Sequence, residues 1–139
     1  MPPENRLSEH EYLVRVLARW LERNDYVVAA ELADHTESPS FSGYKPHVYA
    51  MQAETRVIGD AEVCERLDDE QTQQRWKAFF SVASQAGSHP AYELHIIVPS
   101  TCLDEAKRQA PPGASRPRFI PSSWPTRRDY AAHNEAVRE

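Results

Sequence analysis

The chemistry-bearing stretch of this sequence is Val57-Ile58-Gly59-Asp60-Ala61-Glu62-Val63, where two carboxylates stand two residues apart among apolar neighbours. In an extended strand side chains alternate between faces, so Ile58, Asp60, Glu62 and Cys64 share one face and Val57, Gly59, Ala61 and Val63 the other. The two acids then lie about 7 Å apart along the strand. Two like charges on an apolar strand need compensation from a bound cation, an Arg or Lys, or water at the sheet edge. The plain alternative is that this face of the strand opens to water. Upstream, Lys45-Pro46-His47 leads into a second apolar run, Val48-Tyr49-Ala50-Met51.

Such residues act together only if the surrounding elements bring them together. Ser8-Glu9-His10-Glu11 has the form of a capping box, and Leu13, Val16, Leu17, Trp20 and Leu21 follow at spacings of three and four. This predicts a helix that ends at Asn24-Asp25. Residues 26–32 are apolar and β-branched and predict a first strand. The Ser-, Pro- and Gly-bearing stretch 33–45 reads as a long loop. Residues 47–51 and 57–64 predict two further strands joined by a hairpin turn at 52–55. Asp68-Asp69-Glu70 put acids at the head of a second helix, with Trp76, Phe79, Phe80 and Ala83 as its apolar face and Gly87 as its stop. Residues 92–98 predict a fourth strand ended by Pro99, and a last helix runs from Ser100 or Thr101 to Ala110, before Pro111-Pro112. The order α-β-β-β-α-β-α gives an α/β protein with a central four-stranded mixed sheet flanked by helices.

The 139 residues suit one domain. We assign it to residues 1–110 and read 111–139 as a Pro-rich basic arm, anchored by Phe119, Ile120, Trp124 and Tyr130. The net charge of −5 disfavours a uniformly basic surface, yet it is unevenly spread: residues 1–106 carry 9 Lys and Arg against 18 Asp and Glu, and residues 107–139 carry 7 against 3. An acidic body with a basic tail can meet anionic partners through the tail, or the tail can simply be solvated. Cys64 and Cys102 lie far apart without a CxxC spacing, which predicts two reduced thiols in a cytoplasmic protein. Cys102 has no local His or Asn to make it a nucleophile. No apolar run approaches the roughly 18 residues of a membrane span, so no membrane partner is expected. Four glycines do not make a phosphate-cradling loop.

The element order, with Tyr44-Lys45-Pro46-His47-Val48-Tyr49-Ala50 followed by Val57-Ile58-Gly59-Asp60-Ala61-Glu62-Val63 and a helix near Asp69, resembles the PD-(D/E)xK nuclease superfamily, also called restriction-endonuclease-like. The resemblance covers about residues 8–110. It implies a nuclease-like core in which a Pro-Asp at the start of one strand meets an Asp or Glu-x-Lys on the next. The acids there bind Mg²⁺, and the Lys orients or activates the attacking water. Here Pro46-His47 stands at the Pro-Asp position and Asp60-Ala61-Glu62 at the (Asp/Glu)-x-Lys position, so Asp60 alone keeps its family identity.

Each departure has a chemical consequence. An acid at the position of Glu62 is tolerated in the superfamily, where a carboxylate can orient the water. His47 replaces a hard oxygen ligand with a neutral nitrogen, which suits Mn²⁺ or Zn²⁺ better than Mg²⁺. The site therefore either takes a softer metal or has lost metal catalysis. The family often adds an acid from the first helix, which points to Glu11 or Glu9, although the capping box already accounts for Glu11. Lys45 is the candidate for the missing cation. Glu31 closes the first strand, and Gln71, Gln73 and Gln74 sit where related nucleases direct a Gln at the site. His35, His89, His95 and His133 have no partner at metal-ligand spacing. Two readings follow. One is a metal-dependent nuclease with Asp60 as central ligand, His47, Glu62 and Glu11 around it, Lys45 as cation, and Mn²⁺ or Mg²⁺ as cofactor. The other is a catalytically inactive nuclease-like module, without metal, that binds nucleic acid or protein.

Overall fold

A computed structural model describes residues 8–85, 87, 89–110 and 117–122 of the chain. The first helix, α1 (Glu9–Arg23), starts where the capping box placed it, with the Glu11 N–H donating to Ser8 Oγ at 3.0 Å. Three strands follow, β1 (Val27–Ala30), β2 (Val48–Gln52) and β3 (Thr55–Ala61). They form an antiparallel meander, with a two-residue turn between Gln52 and Thr55. Helix α2 (Glu70–Ala83), capped by Asp69 through the Gln71 N–H, crosses over to β4 (Ala91–Val98), which runs parallel to β3. Helix α3 (Leu103–Gln109) then leads to β5 (Arg118–Pro121), parallel to β4.

The sheet therefore has five strands in the order β1-β2-β3-β4-β5, not the four expected. The extra strand lies in the segment read as an arm. Phe119 and Ile120 alternate across it, one packing with the α2 side of the sheet and the other with the α1 side. Pro121 ends the strand at the edge of the sheet, where its missing N–H removes no inner ladder bond. Trp124 and Tyr130, the other two anchors, lie outside the described residues.

Two cores sandwich the sheet. On one side α1 buries Leu13, Leu17 and Leu21 against Val48, Ala50, Val57, Ala61 and Ile97. On the other, Trp76 and Phe79 of α2 pack on Ile58, Leu94, Ile96 and Val98. The alternation expected for β3 thus holds through Ala61. Gly59 points at α1, where an added Cβ would lie 2.8 Å from Leu17 Cδ2 and 3.0 Å from Val48 Cβ. Glycine there lets the helix lie directly on the strand.

The reduced-thiol expectation is overturned, because Cys64 and Cys102 form a disulfide. Thirty-eight residues separate them, and no local spacing announces the pair. Parallel pairing brings Ala61 opposite Ile97, so both chains leave the sheet at the same end. Each then enters a short 3-10 turn, Cys64–Arg66 and Ser100–Cys102, and the turns meet with 5.7 Å between the cysteine Cα atoms. No helix among the described residues is long and apolar enough to cross a membrane.

Candidate functional site

The register positions the site. Val48 at the start of β2 pairs with Gly59 near the end of β3, so the residue before β2 and the residue after Gly59 become neighbours. These are His47 and Asp60, both buried, with His47 Nδ1 3.0 Å from Asp60 Oδ1. Glu62, beyond the end of β3, is also buried, its N–H donating to the Ile97 carbonyl at 3.1 Å. His47, Asp60 and Glu62 each offer a ligand atom within 4.8 Å of the others, a grouping that can hold a metal ion.

Helix α2 closes the site from the far side. Trp76 Nε1–H donates to Asp60 Oδ2 at 2.9 Å, and the Arg75 guanidinium donates to Asp60 Oδ1. Both carboxylate oxygens of Asp60 are thereby engaged, and the buried charge has its counterion. Arg75 Nη2 also lies 3.3 Å from His47 Nε2, while Arg75 Nε is buried without a hydrogen-bond partner. From α1, His10 Nε2 approaches His47 Nε2 to 3.2 Å, the two rings standing edge to face. A cleft of about 300 Å³ opens over these groups, lined by His10, His47, Glu62, Val63, Arg66, Gln71, Thr72 and Arg75. Asp60 lies behind this lining with none of its surface exposed.

The electrostatics separate the two carboxyls. Burial, and then the neighbouring Asp60 charge, push the Glu62 carboxyl up to about 9, so it carries a proton at neutral pH. Burial alone would raise Asp60 as well, but His47 and Arg75 beside it outweigh that effect and hold it below the ordinary carboxylate range. Asp60⁻ thus faces Arg75⁺, with a neutral Glu62 beside them. Burial, and then His47, lower the His10 ring below its ordinary value and leave it uncharged at neutral pH.

The remaining sequence candidates sit elsewhere. Glu11 is partly buried, its carboxylate 3.9 Å from Arg15, and it is not among the residues that line the cleft. Lys45 does not supply the cation at Asp60. It pairs with Glu37 across the 33–45 loop and lines a separate hollow with Glu31 and Ser38. Glu31 touches the site through its backbone, its N–H donating to the His47 carbonyl at 2.9 Å. Of the three glutamines, Gln71 lines the cleft, whereas Gln73 donates to the Leu67 carbonyl at 2.7 Å and Gln74 pairs with Glu70 at 3.2 Å. His95 is a buried ring 3.2 Å from Glu93 and is not among the residues that line the cleft.

Sequence reasoning missed His10 and Arg75, and it read Trp76 as apolar only. An arginine beside the glutamines of α2 and a histidine inside a capping box carry no spacing signal. One hint was available: a helix following the acid pair and covering its face must turn some residue toward those acids, and Arg75-Trp76 is the basic and polar-tipped pair nearest its start. Comparison of the chain with family models, curated proteins and solved structures returns no match.

Proposed function

We propose that this protein is a divalent-metal-dependent phosphodiesterase acting on nucleic acid, of the PD-(D/E)xK nuclease kind. The observation that carries the reading is the meeting of His47, Asp60 and Glu62 at the junction of antiparallel β2 and parallel β4 around β3, beneath a cleft walled by Arg66 and Arg75. The donor set of one imidazole and two carboxylates fits Mn²⁺ or Zn²⁺ better than Mg²⁺. A bound ion of this class polarises a phosphoryl oxygen and acidifies a water molecule. His47, Asp60 and Glu62 would hold it, with Glu62 deprotonated. Arg66 and Arg75 would orient the phosphate through their N–H donors. His10, its ring lowered below the ordinary value and facing the cleft, would accept a proton from the attacking water.

The engagement of both Asp60 oxygens by Arg75 and Trp76 favours a second reading, in which Arg75 has replaced the ion and the chain is a non-catalytic binding module. A calorimetric Mn²⁺ titration followed by a cleavage assay on DNA and RNA separates them. The nuclease reading expects one Mn²⁺ per chain and Mn²⁺-dependent cleavage that Asp60→Asn abolishes. Absence of stoichiometric Mn²⁺ binding sinks it in favour of the module.

A further inference from the structure

We infer that Arg75 makes metal uptake depend on substrate: at rest its guanidinium holds the cation's place at Asp60, and a phosphodiester entering the cleft draws it away and leaves Asp60 to the ion. The inference rests on the metal-dependent reading above and adds what regulates that site.

The contacts of this one side chain carry it. The Arg75 guanidinium donates to Asp60 Oδ1, and its Nη2 lies 3.3 Å from His47 Nε2. It therefore meets two of the three residues whose ligand atoms converge for an ion. A guanidinium and a divalent cation cannot both rest against the same buried oxygen, where their repulsion is only weakly screened. Arg75 and the ion are alternatives at Asp60.

The same side chain also lines the cleft, which Asp60 does not. Its Nε is buried without a hydrogen-bond partner, so the resting arrangement leaves a donor unused. A planar guanidinium can present two parallel N–H donors to the two free oxygens of a phosphodiester, an arrangement that would employ Nε. Two further contacts outlast the exchange. Trp76 Nε1–H holds Asp60 Oδ2 at 2.9 Å, which keeps the carboxylate oriented once Oδ1 is released. The Phe79 ring, 5.6 Å from Arg75 Cζ, supports the cation independently of Asp60. Arg66, across the cleft, pairs with Asp69 at 3.2 Å and can meet a phosphate without disturbing Asp60. Phosphodiester and metal binding are thereby coupled, each strengthening the other by the same factor.

The test uses the full chain, Mn²⁺ and dimethyl phosphate, the smallest phosphodiester, against sodium chloride of equal ionic strength. Calorimetry of the wild-type chain is expected to show one Mn²⁺ site whose affinity rises about tenfold or more as dimethyl phosphate is raised to saturation. Arg75→Gln removes the competing charge, and it is expected to bind Mn²⁺ about tenfold or more tighter than the wild type in chloride and to ignore dimethyl phosphate. Melting curves establish that the variant is folded, and the wild-type comparison needs no variant. Equal wild-type affinity in the two solutions, or a folded Arg75→Gln that binds Mn²⁺ no tighter than the wild type, overturns the exchange while leaving a metal site in place. A wild-type chain that binds no Mn²⁺ in either solution overturns both this inference and the function it rests on.

Discussion

Glu62 and Asp60 are two carboxyls two residues apart whose surroundings drive their proton affinities in opposite directions. Glu62 is buried beside a negative charge, and its carboxyl is pushed up to about 9. Such a group binds its proton more tightly in the folded chain than in the unfolded one. Its contribution to stability is fully present below the ordinary glutamate value of about 4.3 and is lost as pH rises through about 9. Asp60 has the opposite sign, but its effect falls below the ordinary aspartate range and does not overlap this window. Urea midpoints measured from pH 5 to pH 9 should therefore decline with pH, at no more than about 1.4 kcal/mol per pH unit from this one group. Glu62→Gln should flatten the decline. An equally steep profile in that variant would mean that the carboxyl is ionised in the folded chain.

At the scale of the elements, the chain's periodicities specify more than its chemistry does. The capping box, the stripe of α1, the hairpin and the face assignment of Ile58 and Asp60 were all readable, because each follows from contacts between residues near in sequence or from strict alternation. His47 and Asp60 were readable as partners only through a resemblance that supplied the register of β2 on β3. The disulfide and the Arg75 contact depend on where a parallel crossover returns, and no local pattern encodes that. β5 was missed because four residues in a Pro-rich segment have too short a run to declare a strand. Gly59 tests the packing between elements. Gly59→Ala puts a methyl within 2.8 Å of Leu17 Cδ2 and 3.0 Å of Val48 Cβ, so α1 must move off the sheet. We expect a loss of about 1–3 kcal/mol. Because α1 carries His10 against His47, the cleft should be disturbed with it, and thermal melts read beside Mn²⁺-dependent cleavage check both. A variant as stable as the parent would show that Leu17 repacks without cost.

For the molecule as a whole, the described part of the basic C-terminal segment, residues 107–139, is built into the body. Arg108 pairs with Glu105 on α3, and Arg118 lies 3.6 Å from Glu93 across the β4–β5 pair. The split between an acidic body and a basic tail is real in composition, but part of the tail's charge is already neutralised inside the fold. Truncation consequently has two distinct outcomes. A chain ending at residue 122 keeps β5 and both of its buried side chains. A chain ending at residue 110 loses Phe119 and Ile120, which are buried on opposite faces of the sheet. Each buried side chain of this size contributes about 1.5–3 kcal/mol, so their joint loss of about 3–6 kcal/mol reaches the lower end of a typical domain's stability, about 5–15 kcal/mol. It also leaves the β4 ladder unpaired along one edge, a template for association between chains. The chain ending at residue 122 should melt cooperatively, and the one ending at residue 110 should unfold or aggregate. If the chain ending at residue 110 is monomeric and equally stable, β5 is an accessory to the sheet and the folded unit closes with α3.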